Sequence, residues 1–63
     1  MKIVDGYYVM IWLGGRYGSC GWYKDQSDAM RVVQYKLTAG LWSGMPPKVE
    51  PSFRTLLSKE MNP

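Results

Sequence analysis

The segment Tyr7–Leu13, YYVMIWL, constrains the fold most strongly, because β-branched and aromatic residues, which favour strands, fill it. Successive side chains of a strand point to opposite faces of its sheet. Branched aliphatic side chains pack densely beneath a helix, so we assign one face to the core: Val9, Ile11 and Leu13. The other face is expected to point outward: Tyr8, Met10 and Trp12. The alternative is that the apolar C-terminal segment folds back and covers this face.

Glycine-containing turn signals flank this strand. Asp5-Gly6 predicts a two-residue hairpin after a short extended segment, Lys2–Val4, since Gly accepts the positive φ of such turns. Gly14-Gly15 with Arg16 predicts a second turn on the other side.

The segment Tyr17–Tyr23, YGSCGWY, is typical of a return strand that is interrupted by a bulge at Gly21. This bulge directs Cys20 and Tyr23 inward and leaves Trp22 outward. Trp22 would therefore extend the aromatic surface of the preceding strand.

A helix is predicted over Ser27–Ala39, and Gly40 supplies its end. Residues suited to capping and to the positive end of the helix dipole precede or open it: Asp25, Ser27 and Asp28. Apolar residues at three- and four-residue spacing form the stripe that would face the sheet: Ala29, Met30, Val33, Leu37 and Leu41.

The rest of the chain is less regular. Met45-Pro46-Pro47 excludes a helix and predicts an extended connection. The sequence then permits two alternatives, a short helix over Phe53–Met61 or an edge strand over Lys48–Phe53, against which Pro51 argues.

Together these elements predict an α+β fold, with a small antiparallel sheet of two or three strands in β-β-β-α order against one amphipathic helix. We expect one domain, 1–63, with a core over 2–41 and a C-terminal extension over 44–63. A domain of 63 residues buries only roughly 60% of the surface of its unfolded chain, so its stability should be small.

Composition favours a binding protein over an enzyme. The chain has no His, and its one Cys, Cys20, lacks the partners of a metal site or a nucleophile pair. The carboxylates are not paired at a spacing that suggests acid–base catalysis, so we expect neither catalysis nor a cofactor. A single Cys, no signal-peptide pattern and no apolar run near ~20 residues predict a cytoplasmic protein without a membrane partner.

The stretch from Tyr7 to Thr38 resembles the DNA-binding domains of plant ethylene-response factors and the arm-binding domains of phage integrases, in which a three-stranded sheet packs on a helix. The matching motifs are YYVMIWL, GGR, CGWY and KDQSDAMRVV. In those domains the outer sheet face enters the major groove. The resemblance therefore implies that the outward residues of this sheet face DNA.

Two functions follow as hypotheses, both for a protein of phage or mobile-element type. With a net charge of +3, the first is nucleic-acid binding through a basic and aromatic sheet face. The second is an inhibitor that binds a host protein complex through the same aromatics, and a homodimer joined by this face is a third option. The expected contact residues are Tyr8, Met10, Trp12, Arg16, Trp22, Lys24 and Arg31.

Overall fold

The computed structural model describes residues 1–55 and shows a three-stranded antiparallel sheet with one helix against it. The elements in chain order are β1 (Lys2–Trp12), β2 (Tyr17–Tyr23), α1 (Gln26–Ala39) and β3 (Lys48–Thr55). The predicted α+β class is confirmed, but the third strand follows the helix instead of preceding it. The order is therefore β-β-α-β, and β1 lies in the centre of the sheet, between β2 and β3.

Strand β1 runs through Asp5-Gly6 without turning, so the hairpin predicted there is wrong. The reason is β3, which pairs with β1 from Lys2 to Met10 and gives these residues an extended partner. The register shifts between Val4 and Gly6, which leaves Asp5 as the extra residue of a β-bulge. The turn signal thus marks a bulge in the strand.

The hairpin between β1 and β2 occurs where it was predicted. The N–H of Leu13 donates to the carbonyl of Arg16 at 2.8 Å, and Gly14 adopts a φ of 80°. Strand β2 has the predicted bounds, but its register leaves Cys20, not Gly21, without a partner on β1. Cys20 is exposed, so its predicted inward orientation is wrong.

Strand β3 follows the edge-strand alternative for the C-terminal region. It places Phe53–Thr55 in the sheet, which rules out a helix beginning at Phe53, while the rest of that predicted helix lies outside the described residues. Pro51 is tolerated because β3 is an edge strand, where one side of the backbone needs no ladder partner. The sheet thereby extends past the predicted 2–41 core.

Helix α1 begins one residue earlier than predicted, at Gln26, and ends at the predicted residue, Ala39. Asp25 is the N-terminal capping residue, but its side chain makes no capping hydrogen bond. At the other end Gly40 adopts a φ of 69°, and the N–H of Leu41 donates to the Lys36 carbonyl at 2.8 Å. This pattern is a Schellman motif, and it turns the chain toward the loop over residues 41–47.

The core is small, and within residues 1–55 its buried hydrophobic residues are Val9, Ala29 and Val33. Half-buried side chains surround it: Tyr7, Tyr23, Val32 and Val49. The helix contacts the sheet through Ala29 and Val33. The other residues of the predicted apolar stripe therefore lie on the side of the helix or beyond its last residue. Three residues of the predicted helical stripe are consequently exposed: Met30, Leu37 and Leu41. Leu13, also predicted to be internal, is exposed in the hairpin turn that follows β1. No helix within the described part of the chain is long and apolar enough to cross a membrane.

Candidate functional site

Within residues 1–55, the sheet has one face against the helix and one face on which no helix lies, which we call the open face. Val9 is fully buried on the helix side, so the even-numbered residues from Tyr8 to Trp12 point to the opposite face of the sheet. Cross-strand partners share a face. The open face accordingly contains Tyr8, Met10, Trp12, Tyr17, Ser19, Trp22, Lys48, Glu50 and Ser52. The outward orientation predicted for Tyr8, Met10, Trp12 and Trp22 agrees with this geometry.

The indole of Trp22 extends from β2 across β1 to β3 on the open face. It covers the backbone of Gly6, where a Cβ atom would be only 2.1 Å from Cζ2 of the ring. Its N–H reaches β3 and donates to Oγ of Ser52 at 3.0 Å. The Ser52 hydroxyl in turn donates to the carboxylate of Asp5 at the bulge of β1. The ring thus contacts the sheet while Trp22 keeps 47% of its surface exposed, directly beside its cross-strand partner Tyr8.

Substitution of Ser52 by Ala is expected to reduce the free energy of unfolding by about 1–2 kcal/mol, because two hydrogen bonds are lost in a part-buried site. The change can be measured by urea unfolding. Ser19→Ala is the matched control, since Ser19 is exposed and makes only a long 3.5 Å bond to a backbone carbonyl. Equal effects at the two serines would contradict the role assigned to Ser52.

The other end of the open face is partly covered by the loop over residues 41–47. The rings of Trp12 and Tyr17 meet edge to face with centroids 5.2 Å apart. The backbone of Gly44 lies against the Trp12 indole, and the Tyr17 hydroxyl donates to the Pro46 carbonyl at 2.8 Å. Trp12 is therefore half-buried, and Tyr8 and Trp22 are the more accessible aromatics of this face.

The charges of the open face balance. Lys48 stands over the Tyr17 ring, 4.2 Å from its centroid, and pairs with Glu50 at 2.9 Å. Arg54 continues the same alternation along β3, and Asp5 accepts the Ser52 hydroxyl from the bulge. Each cation of this face is thus matched in number by a carboxylate. Among residues 1–55, the other exposed cations, such as Arg16 and Lys24, lie outside this face.

The three remaining predicted contact residues lie outside the open face. Arg16 is in the hairpin turn and Lys24 is in the connection to the helix, and both are exposed. Arg31 is on the helix, whose packed side covers the opposite face of the sheet, and it pairs with Asp28 at 3.8 Å. The structure therefore does not bring Arg31 together with Tyr8 and Trp22.

Sequence reasoning missed the residues that fix Trp22 in place. Ser52 and Asp5 are separated by 47 positions, and only the pairing of β3 with β1 brings them together. Trp42, exposed in the loop after the helix, was also missed, although the apolar pair Leu41-Trp42 directly after a helix-ending Gly could have indicated an exposed apolar loop. Among residues 1–55, no group of three Cys, Asp or Glu side chains is arranged to hold a metal ion.

Comparisons of the chain with protein-family models, with curated proteins and with solved structures found no match.

Proposed function

We propose that this chain is a small binding domain that contacts a partner protein through the open face. The observation that carries the proposal is the half-exposed indole of Trp22, which is hydrogen-bonded to Ser52 and lies beside Tyr8. Large aromatic side chains left in contact with water in so small a domain are typical of contact surfaces. The hypothesis of an inhibitor that blocks a host protein complex falls within this role.

The fixed position of Trp22 favours tight contact. A side chain that must be immobilised on binding costs roughly 0.5–1.5 kcal/mol. Trp22 is already held by its bond to Ser52 and by packing on Gly6, so much of that cost is met on folding. Trp and Tyr are also the residues that most often dominate binding energy at protein interfaces.

The charge of the open face favours a protein over a phosphate backbone. Nucleic-acid surfaces gain most of their affinity from unmatched Lys and Arg. Here Glu50 neutralises Lys48 at 2.9 Å, and Asp5 lies in the same region as Trp22. An aromatic surface with balanced charges suits the mixed apolar and polar surface of a protein partner.

The test is affinity capture from cell extract after nuclease treatment, followed by calorimetry with the purified captured protein. Tyr8→Ala and Trp22→Ala should each weaken binding by about 2 kcal/mol or more. Tyr35→Ala is the matched control, because Tyr35 is a 64% exposed helix residue away from the sheet, and it should bind normally. If both open-face variants bind as tightly as the parent chain, the proposed surface is not the contact.

Nucleic-acid binding is the second candidate, supported by the exposed rings of Tyr8 and Trp22 with Lys48 on the same face. Aromatic sheet faces stack unpaired bases at ~1–3 kcal/mol per base. A single-stranded oligothymidine and a mixed duplex are suitable probes, and binding should weaken as the salt concentration rises. Absence of binding to both at low salt would exclude this candidate.

A further inference from the structure

The two edges of the sheet differ in how they are protected against pairing with another strand. Strands β2 and β3 form these edges, with β1 between them. Proteins commonly protect an edge with Pro and with charged side chains. Strand β3 contains both: Lys48, Glu50, Pro51 and Arg54. Strand β2, YGSCGWY, contains neither, so it is the edge that is more open to a further strand.

The hairpin determines which backbone groups of β2 face away from β1. Opposite residues in an antiparallel pair alternate between hydrogen-bonded and non-hydrogen-bonded positions. The N–H of Leu13 donates to the Arg16 carbonyl, so the next pair, Trp12 with Tyr17, is non-hydrogen-bonded. Continued along the register and past the bulge, this alternation turns outward the backbone N–H and C=O groups of Tyr17, Ser19 and Trp22.

The same alternation explains why Pro51 is tolerated in β3. It makes Tyr7 a hydrogen-bonded partner of Tyr23 on β2, so Tyr7 does not bond to Pro51, which lies opposite it on β3. The Pro51 nitrogen therefore points to the outer edge of β3, where it leaves a gap in the row of donors. In β2, by contrast, every outward residue retains its N–H.

The outward groups of β2 are accessible. Ser19 and Cys20, in the middle of the strand, are exposed. Within residues 1–55, β2 pairs with β1 alone, and no backbone hydrogen bond outside that ladder involves residues 18–23. An extended segment laid along this edge would supply partners for these donors and acceptors, which is the mode of binding known as β-augmentation.

The charges at the ends of β2 select the kind of segment. Arg16, which directly precedes β2, is exposed and makes no ion pair within residues 1–55. Lys24, which follows β2, is next to the carboxylate-bearing Asp25. The unmatched positive charge therefore lies at the Arg16 end of β2, where the C-terminal end of an antiparallel segment would lie. An Asp or Glu at that end of the segment complements Arg16.

A second copy of this chain fits the edge less well. In an antiparallel pair of two β2 strands, the Arg16 end of each copy would lie against the Lys24 end of the other, and like charges opposite each other are destabilising. The bulge at Cys20 also increases the local twist of β2. A flexible peptide segment can follow this twist and avoids the charge repulsion.

We propose that the outer edge of β2 binds an extended, uncharged peptide segment of a partner protein, antiparallel to β2, with Asp or Glu at its C-terminal end beside Arg16. Hydrogen bonds between the two backbones supply the affinity, and the carboxylate sets the direction of the segment. This site adds to the proposed function and does not depend on the aromatic side chains of the open face.

The probe is an end-blocked heptapeptide, Thr-Val-Thr-Val-Thr-Asp-Asp, titrated into the ¹⁵N-labelled chain. We expect saturable shifts and slower hydrogen exchange of the outward backbone amides: Tyr17, Ser19 and Trp22. The same peptide N-methylated at every Thr and Val should bind at least ~10-fold more weakly, because these residues can no longer donate to the edge. No saturable shift, or equal affinity for the methylated peptide, would overturn the proposal.

Variants of Ser19 locate the site. Ser19→Pro removes an outward N–H and no hydrogen bond to β1, an arrangement that an edge of this sheet already accommodates at Pro51. It should weaken peptide binding at least ~10-fold while circular dichroism shows the fold unchanged. Ser19→Ala is the matched control, because it retains the N–H and should bind within about twofold of the parent chain. Equal affinity of the two variants would overturn the proposal.

Arg16→Glu tests the charge without altering the backbone of β2. The parent chain should prefer the Asp peptide over a peptide with Lys in place of both Asp residues by at least about threefold, and Arg16→Glu should reverse this preference. Equal affinity of the parent chain for the two peptides, or a preference that Arg16→Glu leaves unchanged, would overturn the proposal.

Two further measurements separate this site from the other surfaces. Tyr8→Ala alters the open face but not the backbone of β2, so it should leave the affinity for the Asp peptide within about twofold. Failure of the proposed function would thus not affect this result. Light scattering of the free chain should show a monomer. A dimer that Ser19→Pro abolishes would overturn the proposal in favour of a second copy.

Discussion

Replacement of Gly44 by Ala is expected to cause the largest loss of stability of any single methyl group added to this chain, about 2–5 kcal/mol. Two effects add. Gly44 has a φ of 78°, and a left-handed conformation costs an L-residue roughly 1–2 kcal/mol. The new Cβ would also lie 2.4 Å from Cδ1 of Trp12 and 2.8 Å from its Nε1, and such overpacking costs typically ~1–3 kcal/mol.

Gly14→Ala separates these two effects. Gly14 has a nearly identical φ of 80°, but a Cβ there would meet no atom within 4 Å. This variant should therefore show the conformational cost alone, and the difference between the two variants should report the contact with Trp12. Urea unfolding measures both, and near-UV circular dichroism follows the displaced indole. Equal losses in the two variants would show that the loop does not pack on Trp12.

A loss of this size matters because the core is so small. Proteins are typically stable by only ~5–15 kcal/mol, and a 63-residue chain should lie at the lower end of this range. Among the described residues, Val9 is the only large side chain that is fully buried. Contacts outside the core, such as Gly44 on Trp12 and Trp22 on Gly6, must therefore supply a substantial part of the stability.

Local patterns predicted the elements well and their long-range partners poorly. Strand β2 has the predicted bounds, and the helix differs by one residue, because period and capping residues are properties of neighbouring positions. Asp5-Gly6 was assigned to a turn because its alternative, pairing with Ser52, involves a segment 46 positions from Gly6. A local preference for a turn can be overruled when a distant strand supplies partners for the backbone hydrogen bonds.

In the candidate site, too, local patterns predicted some features, and features that depend on distant segments were not predicted. Alternation along β1 identified Tyr8 and Trp12 as outward, and the aromatic partner Trp22 could be added from the next strand. The hydrogen-bonded support of Trp22 through Ser52 depends on β3 and could not be read locally. The contact of the loop over residues 41–47 with Trp12 and Tyr17 depends on where the chain folds back after the helix, and periodicity does not encode this.

Gly6→Ala should destabilise the fold by about 1–3 kcal/mol. Ordinarily the reverse holds, because Gly in a strand interior is less stabilising than Ala by roughly 0.5–1 kcal/mol. The sign reverses because a Cβ at this position would stand 2.1–2.5 Å from Cζ2, Cε2 and Nε1 of Trp22. The indole must then leave Gly6 and its bond to Ser52, so partner binding through the open face should fall as well.

Two comparisons test this mechanism by urea unfolding. A Cβ at Gly15 would meet no atom within 4 Å, and the φ of Gly15 is not positive. Gly15→Ala should therefore change the free energy of unfolding by less than about 0.5 kcal/mol. In a double-mutant cycle, Gly6→Ala in the Trp22→Ala background should cost clearly less than in the parent chain, because the clashing ring is gone. An unchanged cost would place the strain in the β1 backbone. Trp22 would then not be held against Gly6, as the proposed contact surface requires.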